Sequence, residues 1–177
     1  MDQLCEKQTT PPTKEVQDAH LHELLSTWVA SGAADHLIKI WDERSGECVK
    51  TLKGCRSWVL CLAAMSDGNL ISGCEDGDVR IWDVEIGRCL RVLKGHNFCV
   101  TSVAHLGHGR SVTSAKDNTI CIWGANGKVE SMIVTKGQEV LAIRSLGAGK
   151  FASGADGTYP NLSKFSNPKS NPALPHT

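Results

Sequence analysis

Short apolar runs alternate with turn residues through the middle of the chain. VLCLAAM (Val59–Met65) is almost wholly apolar, and the polar SDGN ends it. NLISG follows, then the turn EDGD, then DVRIWDV (Asp78–Val84). In that last run Val79 and Ile81 fall on one face of an extended chain and Arg80 and Trp82 on the other. After the turn EIG comes RCLRVLK (Arg88–Lys94). Short β-branched runs bounded by Asp-Gly and Asn/Gly turns predict four successive antiparallel strands.

The same pattern recurs at a fixed step. Trp41, Trp82 and Trp123 stand 41 residues apart, as do Asp35, Asp76 and Asp117, and Ser31, Ser72 and Thr113. Gly54 and Gly95 keep the step, and Gly137 arrives one residue late. Four strands in about 41 residues make one blade of a β-propeller. The fold class is therefore all-β: an incomplete propeller of about three to four four-stranded antiparallel blades.

The residues that close each copy carry a resemblance. SGCEDGDVRIWD, followed by Gly95-His96, resembles the WD40 repeat family. The second copy holds both the Trp82-Asp83 pair and the Gly-His pair. The first keeps Trp41-Asp42 but has Gly54-Cys55, and the third keeps Trp123 but has Gly124 and Gly137-Gln138. The resemblance covers roughly residues 28 to 157.

Both ends of the array depart from the pattern. WVASG (Trp28–Gly32) aligns with NLISG, but DAHLHEL, where a preceding strand belongs, is polar and helix-compatible. Glu139–Leu146 reads as a first strand and FASGADG as a second. Pro160, Pro168, Pro172 and Pro175 then interrupt any strand pattern. We expect residues 1–19 to be a disordered lead-in, 20–159 the repeat array, and 160–177 a disordered proline-rich tail. Closed propellers use about 4–8 blades. A partial array is thus expected to belong to a longer propeller, to associate with copies of itself, or to be completed by another chain. The first is the favoured expectation.

Composition narrows the function. Lys plus Arg equals Asp plus Glu, 19 each, so no whole-molecule field attracts nucleic acid or an anionic membrane. The lysines and arginines are scattered; Lys39, Lys50, Arg80 and Arg91 read as solvated or packed stems. The longest apolar run is far short of the roughly 18 residues of a membrane span. The polar, acid-bearing N-terminus reads as neither a secretory signal nor a transit peptide. The eight cysteines include no CxxC pair, which argues against zinc. Several sit inside strand-like runs, so they read as small buried hydrophobes in a reducing compartment, cytoplasmic with the nucleus as second choice. SLGAGK lacks the full phosphate-loop spacing and lies between strands.

Thr113, His96 and Asp117 have the residue types of a nucleophilic triad. The WD40 resemblance implies instead a buried structural network with Trp123, repeated in part by Ser72, Asp76 and Trp82 and by Ser31, Asp35 and Trp41. Cys55 replaces the histidine of the second set, and the first and second sets are both expected to be incomplete. The three aspartates lie one per blade and do not converge as calcium ligands must. No metal, cofactor or catalytic residue is expected.

The resemblance also implies that one face of the disc holds partners. Here that face comprises Arg56, Ser57 and Trp58, then Asn97, Phe98 and Cys99, with Lys116, Asn118 and Glu139 and the turn residues Glu75 and Asp78. The expected function is a non-catalytic scaffold or adaptor for a protein or peptide, binding neither nucleic acid nor membrane. The alternative is a fragment of a longer WD40 protein, such as a ubiquitin-ligase substrate receptor, without independent function. A propeller enzyme ranks below both.

Overall fold

The computed structural model describes residues 28–135 and 139–155. The expected lead-in, the expected tail and DAHLHEL lie outside the described residues. Within them are thirteen strands and four antiparallel sheets. The first sheet holds β1 (Trp28–Gly32), β2 (Ile38–Asp42) and β3 (Cys48–Leu52). The second is β4 (Val59–Ala64), β5 (Leu70–Cys74), β6 (Val79–Asp83) and β7 (Arg88–Leu93). The third repeats it as β8 (Val100–Gly107), β9 (Arg110–Ala115), β10 (Thr119–Trp123) and β11 (Val129–Val134). The fourth pairs β12 (Val140–Gly147) with β13 (Lys150–Ala155). Each sheet is a simple meander, because short polar turns join neighbours directly.

The core lies between sheets rather than within one. Ile38, Ile40 and Leu52 of the first sheet pack with Val59, Leu70, Cys74 and Trp82 of the second. Ile71, Val79 and Leu93 of the second meet Val100, Val103, Cys121 and Trp123 of the third. Val112, Ile120 and Ile122 then meet Val140, Ile143 and Phe151 of the fourth. A blade therefore buries its apolar faces only beside its neighbours, as stacked repeats do.

Glycines set the approach of successive blades. A Cβ on Gly32 would fall 2.4 Å from Val59 Cγ1, and one on Gly73 would fall 2.4 Å from Val100 Cγ1. Both valines open the inner strand of the next sheet. Bulges recur beside the repeat tryptophan, at Ile40/Trp41, Ile81/Trp82 and Ile122/Trp123, and sharpen the twist at the same place in each blade.

Two sequence expectations are corrected. Arg80 is neither solvated nor a packed stem with its head in water. It is buried, with Nη2 2.7 Å from Asp78 Oδ2 and 3.5 Å from Asp76 Oδ2. The cysteines are less buried than expected: Cys74 and Cys121 are fully so, whereas Cys48, Cys55, Cys61, Cys89 and Cys99 are half-buried.

Candidate functional site

The third sheet holds a continuous polar chain. Thr113 on β9 pairs across the ladder with Cys121 on β10, and Trp123 stands two residues further on the same face. That diagonal lets the indole Nε1–H donate to Thr113 Oγ1 at 2.8 Å. His96, in the loop after β7, brings Nε2 to 2.7 Å from the same hydroxyl. Its Nδ1 lies 3.1 Å from Asp117 Oδ2 and 3.0 Å from Thr119 Oγ1. Asp117 also accepts from the Asn97 N–H at 2.9 Å and from the Thr119 hydroxyl at 2.5 Å.

The donors and acceptors assign the protons. The carboxylate requires Nδ1–H, which leaves Nε2 to accept from the Thr113 hydroxyl, while that oxygen accepts from tryptophan. Burial pushes the imidazole pKa down, outweighing the opposing Asp117 charge and hydrogen bond, so the ring is neutral. Burial by itself would raise the Asp117 carboxyl. Hydrogen bonds from Thr119 and Asn97, with His96 beside it, hold it below its usual value. Thr113 is fully buried. Its hydroxyl is engaged on both sides, by Trp123 and His96, and so ties the loop after β7 to β9 and β10.

The second sheet solves the same problem differently. Trp82 Nε1 donates to Ser72 Oγ at 2.9 Å, matching the third sheet. Cys55 indeed stands where the histidine would be, but Arg80, across the ladder from Ser72, supplies the missing donors. Its guanidinium reaches Asp76 and Asp78, and Nη1 donates to Cys74 Sγ at 3.3 Å. Lys94 also pairs with Asp78. The set has no loop side chain on the Ser72 hydroxyl among the described residues, as expected, while a buried cation from the strand takes the imidazole's place at the turn aspartates. In the first sheet Trp41 Nε1 donates to Ser31 Oγ at 2.9 Å, and Asp35 Oδ1 accepts from the Leu37 N–H at 3.0 Å.

The loop residues divide by role. Trp58 and Phe98 are 49% and 63% exposed. Arg56, Asn97, Lys116 and Glu139 are exposed as well. Ser57 and Asn118 are half-buried and occupied. Ser57 Oγ accepts from the Asp76 N–H at 2.9 Å, and Asn118 O accepts from Thr135 N and Oγ1 at 2.8 and 2.9 Å. Asp78 is buried in the Arg80 cluster, which removes it from the expected face, while Glu75 stays exposed.

Backbone bonds hold the exposed side chains on one end of the blades. Glu75 N donates to Trp58 O at 2.9 Å, and Lys116 N donates to Cys99 O at the same distance. Gly77 lies against the carbonyls of His96 and Phe98, so the second blade's turn abuts the third blade's loop. Sequence reasoning missed Thr119, Arg80 and Cys74. Thr119 was readable as the second residue after a turn aspartate, and Arg80 shares the face of Trp82.

Antiparallel four-stranded sheets at a constant sequence step, packed face to face with their loops at one end, define a stretch of β-propeller. The chain belongs to the WD40 family (WD domain, G-beta repeat), whose profile matches residues 23–42, 46–83 and 87–124, more than half its length. It is similar to Nuclear distribution protein PAC1 of Mycosarcoma maydis, with 49% identity over 41 residues. That match spans 23% of this chain and 9% of the relative, so only a small part of the relative's length is represented. WD40 repeats in general mediate protein–protein interaction.

Proposed function

We propose that this chain is a non-catalytic interaction scaffold or adaptor, working in the cytoplasm or nucleus and engaging a protein or peptide through its loop face. The observation that carries this is the pair Trp58 and Phe98, two large aromatics left exposed on loops whose backbones are pinned to the neighbouring turns. Aromatics and arginine dominate interface energetics, and Arg56 stands beside Trp58. A loop already held by its hydrogen bonds loses little conformational entropy on binding. Asn97, Lys116 and Glu139 would form the polar rim, with charge of both signs. Cross-linking and pull-down of the parent chain against Trp58→Ala and Phe98→Ala tests the reading. Loss of the same partner from both variants is expected; equal recovery would remove these residues from the binding surface.

A second reading has its own observation. Gly154 occupies the repeat position of Gly73, yet no side chain of a following blade lies against it among the described residues. Leu141 on the same sheet is 51% exposed. The fourth sheet is shaped to receive a further blade, so the array would work as part of a larger ring. That blade would come from a longer chain, another copy or a partner.

A further inference from the structure

We propose that Cys55 and Cys74 form a thiol pair that a hydroperoxide converts to an intramolecular disulfide, a modification site at the seam between the first and second sheets. The inference stands apart from the scaffold reading and does not depend on it.

The repeat places the pair. Cys55 holds the position of His96, and Cys74 that of Ala115, one period earlier. The second blade thus carries a sulfur where the third has the His96 imidazole, and another where the third has the Ala115 methyl group. Both belong to one apolar cluster with Leu52, Val59, Leu70 and Trp82. Arg80, buried and positively charged, donates through Nη1 to Cys74 Sγ at 3.3 Å. A guanidinium aimed at a sulfur stabilises the thiolate, the form that reacts with peroxide. Cys74 has no exposed surface, whereas Cys55 is half-buried in the loop leading to Trp58. Cys55 is therefore the side from which a peroxide would have to enter.

The acidities follow the geometry. The hydrogen bond with Cys55 lowers the Cys74 pKa most; burial opposes it and the Arg80 charge assists. The same contact, with burial, raises Cys55. Of the two thiols, Cys74 is therefore the more readily deprotonated. In the first step the Cys74 thiolate attacks one peroxide oxygen. The S–O bond forms, the O–O bond breaks, and the departing hydroxide takes a proton to leave as water. In the second step Cys55 loses its proton and attacks the Cys74 sulfur. The S–S bond forms, the S–O bond breaks, and hydroxide leaves with that proton as water. Two thiols lose two electrons and both peroxide oxygens end as water.

Cys89 packs beside the same cluster and is the competing partner. The test is to treat the native chain with hydrogen peroxide, block remaining thiols by alkylation, and map linked peptides by mass spectrometry without reduction. Trypsin would leave Cys55 in the peptide 54–56 and Cys74 in 57–80, with fragmentation separating Cys74 from Cys61. The expected result is a 55–74 link that dominates in the folded chain, reverses with dithiothreitol, and loses its preference in guanidinium chloride. Cys74→Ala places the third blade's residue at the matching position, a change the fold accommodates there; the link should vanish in that variant and persist in Cys89→Ser. A dominant 55–89 link, or Cys55 over-oxidised while Cys74 stays a free thiol, would overturn the proposal.

Discussion

At the residue scale, the third blade turns on His96. It joins the loop after β7 to β9 and to the turn before β10, contacts otherwise distant in sequence. His96→Ala leaves the buried Thr113 hydroxyl and the Asp117 carboxylate short of a partner, at a cost of about 1–3 kcal/mol. Denaturant unfolding should show that loss, and hydrogen exchange should place it in β9 and β10; an unchanged transition would contradict the role given to the ring. The pH dependence has a definite sign. Burial puts the folded-state pKa of His96 below its ordinary 6.5. The unfolded chain therefore binds the proton first as pH falls, and His96's contribution, complete above about 6.5, is lost below it. Asp117, held below its ordinary 3.8, loses its contribution at lower pH still. His96→Gln should flatten the upper part of that acid slope. Arg80 and Asp78 show the other solution, in which removing one partner strands a buried charge. Two neighbouring blades thus tie loop to strand in different ways, one through a neutral imidazole on a carboxylate and the other through a buried ion cluster.

At the element scale, repetition made the strands legible. Asp-Gly turns and the alternation through DVRIWDV mark β6, and the repeat carries that reading to β2 and β10. Alternation says which residues share a face, but it is silent on whether a neighbouring blade covers that face. For this reason Arg80 read as exposed when it is buried. The same gap explains Lys50 and Arg91. Lys50 Nζ donates to Val84 O at 2.8 Å and also bonds Glu85 O, while Arg91 Nη1 donates to Ala125 O at 2.8 Å. Donors and acceptors both repeat at the 41-residue step, so β3 and β7 are each tied to the next blade's turn. The candidate face was legible only as loops; which of its groups are already occupied, as in the Ser57 hydroxyl and the Asn118 carbonyl, depends on backbone bonds that no local pattern encodes. Gly73 offers the sharpest test of the seam. Gly73→Ala sets a methyl 2.4 Å from Val100 Cγ1 and 2.6 Å from Cys61 Sγ. Overpacking of this kind costs about 1–3 kcal/mol. The thermal midpoint should fall accordingly, whereas Gly154→Ala, which among the described residues faces only Ala142 at 4.0 Å, should leave it nearly unchanged.

At the scale of the whole molecule, the array is an arc whose stability comes from its seams. Three seams join four sheets, and the two outermost sheets each lack strands that the middle pair possess among the described residues. Exposed Leu141 and Leu146 on β12 and exposed Val29 on β1 lie toward those ends. Apolar sheet faces of this kind associate unless something covers them. Light scattering behind size-exclusion chromatography tests the open-arc account most directly. The account predicts a mass above the 19.1 kDa of one chain, either a discrete oligomer or a broad distribution. A monodisperse 19.1 kDa species with an all-β circular dichroism spectrum would contradict it.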